Sequence, residues 1–360
     1  MSNSDSPPSH GALLTINLGA IAANWRMLRD KARPAACAAA VKADAYGLGV
    51  PHVVPALAAA GCDTFFVAHL SEGRSVRRAA AKPSIYVLNG FPPGSADAYR
   101  EYNLRPVIGS RPELQEWLTA APDLAHALHI DTGMNRLGFD VDELPQGARP
   151  SLLISHFVSS EVPDDPLNAG QIKAFEKARQ KFPGVPASLA NSSGIFLGLS
   201  PFYEMVRAGY ALYGGNPLPG RDNPMQPVVR LTAPIIQVFE IKAGESAGYN
   251  AQWTAKRDSR LATISIGYAD GFLRALSATD ERPGGEALVG GVLCRFAGRV
   301  SMDLITIDVT EVPEHACGRG AEVTLIGGEL TIDRVGARGR SIGYEVLTSL
   351  RLGRYARAYI

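Results

Sequence analysis

Lys42 stands at the end of an apolar run, Ala35-Ala36-Cys37-Ala38-Ala39-Ala40-Val41, that reads as a buried strand. Desolvating an ammonium is costly, so a lysine is rarely placed there without a partner. Deprotonated, or tied up as an imine, the amine escapes that cost and becomes a nucleophile or base at a strand end. A side chain that snorkels to solvent is the ordinary alternative. Tyr46, Gly47 and Gly49 follow as a loop that can bend sharply and let a ligand approach the backbone.

Other chemically capable residues also follow apolar runs. Asn89 follows Ser84–Leu88, and Asp131-Thr132-Gly133-Met134-Asn135-Arg136 follows Ala125–Ile130. His156 follows Leu152–Ser155, Asn191-Ser192 follows Pro186–Ala190, and Arg207 with Gly209 closes a run near Tyr203–Arg207. Each has a bland explanation too. His156 could be a structural histidine bonded to backbone, and Ser192 could cap a helix. Arg207 could be a surface ion-pair partner, against its apolar flank of Met205, Val206 and Ala208. His126 and His129, three apart on a predicted strand, face opposite sides and make no metal pair. Asp164-Asp165 between prolines reads as a solvated loop.

The elements that would position these residues alternate. A short strand at Leu13–Leu18 and a helix at 20–31 precede the strand that carries Lys42, with Pro34 between them. Helices are expected at His52–Ala60, with Gly61 as C-cap, and at Glu72–Ala81, Ala96–Tyr102, Pro112–Ala120 and Asn168–Phe182. Asp63–Ala68 and Arg105–Ile108 complete the strands. Strands alternating with helices imply parallel pairing through right-handed crossovers. Eight such units over about 220 residues fit an N-terminal (β/α)8 TIM-type barrel, in which active sites lie at the C-terminal strand ends. A doubly wound open sheet is the alternative; there is no GxGxxG after the first strand to support it.

After about Gly220 the texture changes to β-rich segments, Val228–Gln237, Leu261–Ile266, Leu304–Val309 and Glu322–Ile326, with one helix expected at Tyr344–Arg357. The expected organisation is a disordered tail at 1–10, a barrel at 11–225 and a mostly β C-terminal domain at 226–360. The 360 residues carry a net charge of +1, which points to neither nucleic acid nor an anionic membrane. Cys37, Cys62, Cys294 and Cys317 form no CxxC pair and read as reduced thiols in a cytoplasmic protein. The N-terminus lacks signal-peptide character, and no apolar run is long enough to span a bilayer.

The string AVKADAYGLG around Lys42 closely resembles the cofactor-lysine motif of alanine racemases, whose lysine carries pyridoxal 5'-phosphate (PLP) as a Schiff base. IDTGMNRLG, SHF, NSS, VRAGYALYG, IGYADG, GRVSMD and IGYE extend the resemblance over nearly the whole chain. It implies that Lys42 holds PLP and serves as one catalytic base. It implies a phosphate site of Tyr46, Ser192, Gly209, Tyr210 and Tyr344, consistent with anion binding by hydroxyls and backbone N–H groups, with Asn191 also among the cofactor-binding residues. Arg207 would face the pyridine nitrogen and His156 would bond Arg207. Arg136 would lie near the substrate carboxylate. Tyr268, Met302 and Asp303 would be lent by the second subunit of a homodimer, with Tyr268 as the other base.

Two departures stand out. Where the family often has a carbamylated lysine, two residues before the aspartate of DTGM, this chain has His129, so no carbamate forms there and Arg136 must be oriented by His129 or a bound anion. Glu161 replaces an aspartate at the entrance to the site.

Racemisation removes the Cα proton on one face and returns one to the other, and PLP makes that proton acidic enough. One base per face, Lys42 and Tyr268, suits the task. A free tyrosine titrates near about 10, so a nearby cation is required. Arginine opposite the pyridine nitrogen cannot accept a proton, which weakens the electron sink and limits transamination. The implied activity interconverts L- and D-alanine and supplies D-alanine for peptidoglycan. Alternatives are a racemase of another small amino acid such as serine, a related barrel PLP decarboxylase, and a non-catalytic PLP carrier.

Overall fold

The computed structural model describes residues 11–198 and 202–360, so the tail at 1–10 lies outside the described residues. The chain divides into two compact units. One comprises residues 19–45 and 49–226; the other comprises the N-terminal segment up to Leu18, residues 46–48 and residues 227–360.

The first unit is a nearly closed parallel barrel. Its eight strands are Ala36–Ala40, Thr64–Val67, Ser84–Val87, Arg105–Ile108, Ala127–Asp131, Leu152–Ile154, Ala187–Ser188 and Met205–Ala208. The last returns to the first with Met205 opposite Ala36. The Arg207 N–H donates to the Ala190 carbonyl at 2.9 Å and draws the eighth strand to the seventh. These short apolar runs are flanked by Gly, Pro and Asn, and each is too brief for a helix, so burial on both faces makes them strands. Helices cross between them, among them Val50–Ala60, stopped by Gly61 at φ 108°. Asp165, expected in a solvated loop, caps the helix Pro166–Arg179, its Oδ1 accepting the Leu167 N–H at 2.9 Å.

The barrel interior carries the functional face. Ala38, Phe66, Tyr86, Val107, Ala127, Leu152 and Ile154 form one buried cluster with Ala40, Leu88 and Met205 against it. Side chains along a strand alternate, so counting on by two from these inward residues names the next layer up. Ala40 leads to Lys42, Ala127 to His129 and Asp131, Ile154 to His156, and Met205 to Arg207.

The second unit is mostly antiparallel. Val229–Ile241 pairs with Ser259–Ile264 on one side and Glu322–Ile326 on the other. The strands Ile305–Asp308, Val292–Phe296 and Glu286–Val289 complete the ring. A register shift between Leu231 and Thr232 and another between Ile235 and Gln237 let one long strand serve both partners. Leu13–Ile16, expected with the barrel, is part of this sheet, where it pairs with Val229–Thr232 and, in parallel, with Ala356–Tyr359.

The single helix expected at Tyr344–Arg357 is corrected. A helix runs only over Gly343–Ser349, and Ala356–Tyr359 is a strand. At Gly353 a Cβ would lie 2.0 Å from the Tyr355 ring, and the Tyr355 hydroxyl donates to the Leu350 carbonyl at 2.8 Å, so the chain folds back there and leaves the helix. The helix Ile332–Arg338 and the hairpin Glu286–Val289 and Val292–Phe296 were not anticipated.

Candidate active site

Lys42 is half-buried and makes no hydrogen bond or ion pair among the described residues. Burial, then the Arg136 and Arg207 cations, hold its amine below the ordinary lysine range, opposed by Glu72. The backbone beyond it is unusual. Ala43, Asp44, Ala45 and Tyr46 all lie at φ between 54° and 56°, a full turn in the left-handed region with no glycine in it. Such geometry costs roughly 1–2 kcal/mol per residue, so its surroundings must impose it.

The bonds that do so are specific. The Ala45 N–H donates to the Val41 carbonyl at 2.9 Å, and the Asp44 carboxylate accepts the Val50 N–H at 2.8 Å. Glu72 Oε1 accepts the Ala43 N–H at 2.6 Å, while its Oε2 accepts those of Ala68 at 2.7 Å and His69 at 3.0 Å. Glu72 thereby joins the ends of two barrel strands beside Lys42. The sequence shows it only as an acid that opens a predicted helix, whereas the structure places it three residues in, as half of a capping box.

Arg207 is only 7% exposed and has no acidic partner among the described residues. Its Nη1 donates to the Ser188 carbonyl and hydroxyl, both at 2.8 Å, and its Nη2 to the Ser155 carbonyl at 2.5 Å, with His156 Nδ1 at 3.2 Å and the Leu189 carbonyl at 3.4 Å. Burial lowers it to about 10, still protonated at neutral pH. The terminal nitrogens are saturated, and Nε–H is left without a partner among the described residues. An arginine only donates, so His156 Nδ1 accepts and the proton sits on Nε2. Burial and the neighbouring cations push His156 down to about 3, which keeps the ring neutral. The surface ion-pair alternative for Arg207 is excluded.

Ser192 Oγ accepts the N–H of Gly209 at 2.9 Å and of Ala211 at 3.3 Å. Both lone pairs are then in use, and its O–H remains to donate outward. Asn191 Oδ1 accepts from Gly194 N–H at 2.8 Å and Ser160 at 2.9 Å, fixing that turn. Tyr210 is buried, and a Cβ on Gly215 would lie 2.2 Å from its ring.

Arg136 rides on a turn closed by Asp131, whose Oδ1 accepts the N–H of Gly133 and Met134 at 2.9 Å and of Asn135 at 3.2 Å. Arg136 is exposed and bonds to no described residue. His129 therefore does not hold it by a hydrogen bond, contrary to one of the two expectations. Burial and Arg207 push His129 down to about 4.

In the second unit Tyr268 is 39% exposed and opens the turn Tyr268–Asp270. Its N–H donates to the Ser301 carbonyl and that of Ala269 to the Met302 carbonyl, both at 3.0 Å, so Tyr268, Met302 and Asp303 stand together. Met302 is 52% exposed. The Tyr46 and Tyr344 rings are 6.1 Å apart, and Arg357 donates to the Gly47 carbonyl at 2.9 Å. Gly47, at φ 87°, admits no side chain, because a Cβ would lie 2.4 Å from the Leu347 carbonyl oxygen.

A parallel barrel with an unpartnered amine and a buried, carbonyl-saturated arginine above its core, followed by an antiparallel β unit, defines a narrow class. The alanine racemase N-terminal domain matches residues 16–217, and the alanine racemase C-terminal domain matches 228–359. The chain belongs to the alanine racemase family. It is 57% identical to an alanine racemase from Methylobacterium nodulans over 98% of this chain and 97% of that one. The alanine racemase of Bartonella henselae, solved with covalently bound pyridoxal phosphate, superposes with a TM-score of 0.91 at 35% identity, covering 98% of this chain and 100% of that one. A biosynthetic alanine racemase from Pseudomonas aeruginosa gives 0.89 at 34% identity over 98% of this chain and 99% of that one.

Proposed function

We propose that this protein is a PLP-dependent alanine racemase that interconverts L- and D-alanine. The observation that carries the reading is the Lys42 amine: unpartnered, depressed by burial, and set one layer above the barrel core beside Arg207 and neutral His156. The side chains fit PLP. The Lys42 amine offers the nucleophile, the Arg207 Nε–H offers a donor for a ring nitrogen, and the Ser192 O–H offers a donor for phosphate. The family resemblance assigns Gly209, Tyr210, Tyr46 and Tyr344 to the same phosphate and Asn191 to the cofactor.

When bound, PLP spreads the electron pair left on Cα as its proton departs. The chain's own residues do the rest. Arg207 would offer its Nε–H to the ring nitrogen of bound PLP and, because a guanidinium does not give up its proton, would leave that nitrogen unprotonated and disfavour transamination. His156, a neutral acceptor at Nδ1, helps to fix the direction of the guanidinium. Arg136, with no anion bonded to it among the described residues, takes the substrate carboxylate, with Met302 and Asp303 of the second subunit shaping the pocket. Lys42 moves the proton on one face and Tyr268 of the second subunit on the other.

The protein acts as a homodimer in the cytoplasm and supplies D-alanine for peptidoglycan. Four free, buried cysteines favour a reducing compartment, and among the described residues no helix is long and apolar enough to cross a membrane.

Incubation with single L-amino acids, read by chiral chromatography, tests the activity. Equal L- and D-alanine is expected. Racemisation of serine alone, carbon dioxide release, or no turnover would point respectively to another racemase, a decarboxylase or a carrier. Borohydride reduction and peptide mapping should place the pyridoxyl adduct on Lys42, and an adduct on another lysine overturns the assignment.

A further inference from the structure

Tyr268 and the Met302–Asp303 segment stand on separate loops joined by the backbone bonds of Tyr268 and Ala269, and the side chain that ties the two loops together lies outside both motifs. The loops touch without a side chain between them: a Cβ on Gly267 would lie 2.3 Å from the Met302 carbonyl oxygen. Asp270, 7% exposed, turns back to accept the Gly267 N–H on Oδ2 at 3.0 Å. Its remaining capacity goes to Arg354, whose Nε donates to Oδ1 at 2.8 Å and Nη2 to Oδ2 at 3.2 Å. The same Nη2 donates to Asp303 Oδ1 at 2.6 Å. Arg354 is the one side chain bonded to both loops among the described residues.

The chemistry suits this use. A guanidinium is a rigid planar fork of donors, so it sets direction as well as charge; an ammonium does not. The pair with Asp303 is exposed and by itself contributes little. The pair with Asp270 is part-buried and shared with a backbone N–H, so removing Arg354 leaves a buried carboxylate with the Gly267 N–H alone. The arginine's own segment is anchored, since the Leu350 carbonyl accepts from Tyr355 and Arg357, both at 2.8 Å.

We propose that Arg354 is a positioning residue for Tyr268. Through Asp270 it fixes the turn on which the phenol stands, and through Asp303 it holds the Met302 loop against that turn. The inference rests on Tyr268 being the second base.

The test compares holoenzymes of wild type, Arg354→Ala, Arg354→Lys, Tyr268→Phe and Arg354→Ala/Tyr268→Phe. Amide exchange by mass spectrometry reads the clamp: segments 267–271 and 301–304 should exchange roughly tenfold faster in Arg354→Ala, with the barrel peptides unchanged. Turnover reads its use: kcat should fall roughly 10- to 100-fold with KM little altered, because displacement by about an ångström has that effect. Arg354→Lys, which keeps the charge and is the safer fold, should recover part of the loss. In the Tyr268→Phe background Arg354→Ala should cost nothing further, whereas a merely structural residue lowers residual activity by the same factor in both backgrounds. Unchanged exchange, an unchanged kcat beside an inactive Tyr268→Phe, or equal losses in both backgrounds overturns the proposal. Faster exchange in Arg354→Ala together with a fully active Tyr268→Phe upholds the clamp and overturns Tyr268 as a base.

Discussion

At the scale of residues, burial decides most of the chemistry. Arg207 meets the carbonyls of Ser155, Ser188 and Leu189 and, among the described residues, no acid. Arg207→Lys keeps the charge but cannot satisfy them, and should lower stability by about 2–4 kcal/mol in denaturant melts. Arg207→Glu sets a carboxylate among carbonyl oxygens and should cost more; in the folded fraction racemisation should slow and transamination become measurable. Unchanged melts would show that the guanidinium bonds do not bear on stability. His156 and His129 make a second expectation. They sit at about 3 and about 4 in the fold, against about 6.5 in an unfolded chain. Below that value the unfolded state binds protons the native state refuses, so the stability is whole above about pH 6.5 and drains as pH falls toward 4, by about 1.4 kcal/mol per pH unit for each histidine. Melts between pH 7 and 4.5 should show that slope, and His129→Gln should reduce it; a slope that His129→Gln leaves unchanged refutes the assignment.

At the scale of elements, the left-handed turn after Lys42 is the most constrained piece of backbone. Ala43, at φ 54°, is half-exposed, so substitutions there report the backbone rather than packing. Ala43→Gly should raise stability by about 0.5–1 kcal/mol, and Ala43→Val, β-branched at positive φ, should lower it by about 2 kcal/mol or more. Equal stability in all three proteins would mean the turn relaxes in solution. The same turn shows where local reading ends. Tyr46, Gly47 and Gly49 announce a bend, and the bend exists. The hand of the turn is not announced, because no glycine occupies 43–46 and the constraint comes from Glu72, remote in sequence. The C-terminal segment repeats the lesson. Tyr344–Arg357 has a helical pattern, yet Ala356–Tyr359 pairs with Leu13–Ile16 from the other end of the chain, and that ladder overrides local preference.

At the scale of the whole molecule, the proposed homodimer makes a demand on mixed mutants. Lys42→Ala should abolish both sites of its homodimer, and Tyr268→Phe should severely impair both of its own. In a heterodimer of the two, a shared arrangement places both lesions in one site and restores the other. With random exchange about half the dimers are heterodimers with one good site each, so about a quarter of wild-type activity should return. A site contained within one chain gives no rescue. Co-expression with two affinity tags, purification of the heterodimer and a racemase assay decide between them; a folded, PLP-loaded heterodimer without activity excludes the shared site.

The eight barrel strands, the placement of Lys42, His156 and Ser192 beyond their C-terminal ends and of Arg207 in the last of them, and the β character of the second unit were determined by the sequence alone, because strand alternation and turn residues act over a few neighbouring positions. The motifs AVKADAYGLG, IGYADG and GRVSMD also identified the family before any geometry was known. Tertiary structure alone decided which partners each polar group finds. It selected the carbonyls around Arg207, the tautomer of His156, the grip of Glu72 on Ala43, the unbonded state of Arg136, and the clamp of Arg354 on Asp270 and Asp303. These contacts join segments far apart in the chain, and a hydrogen bond depends on distance and direction in space, which spacing along a sequence does not encode.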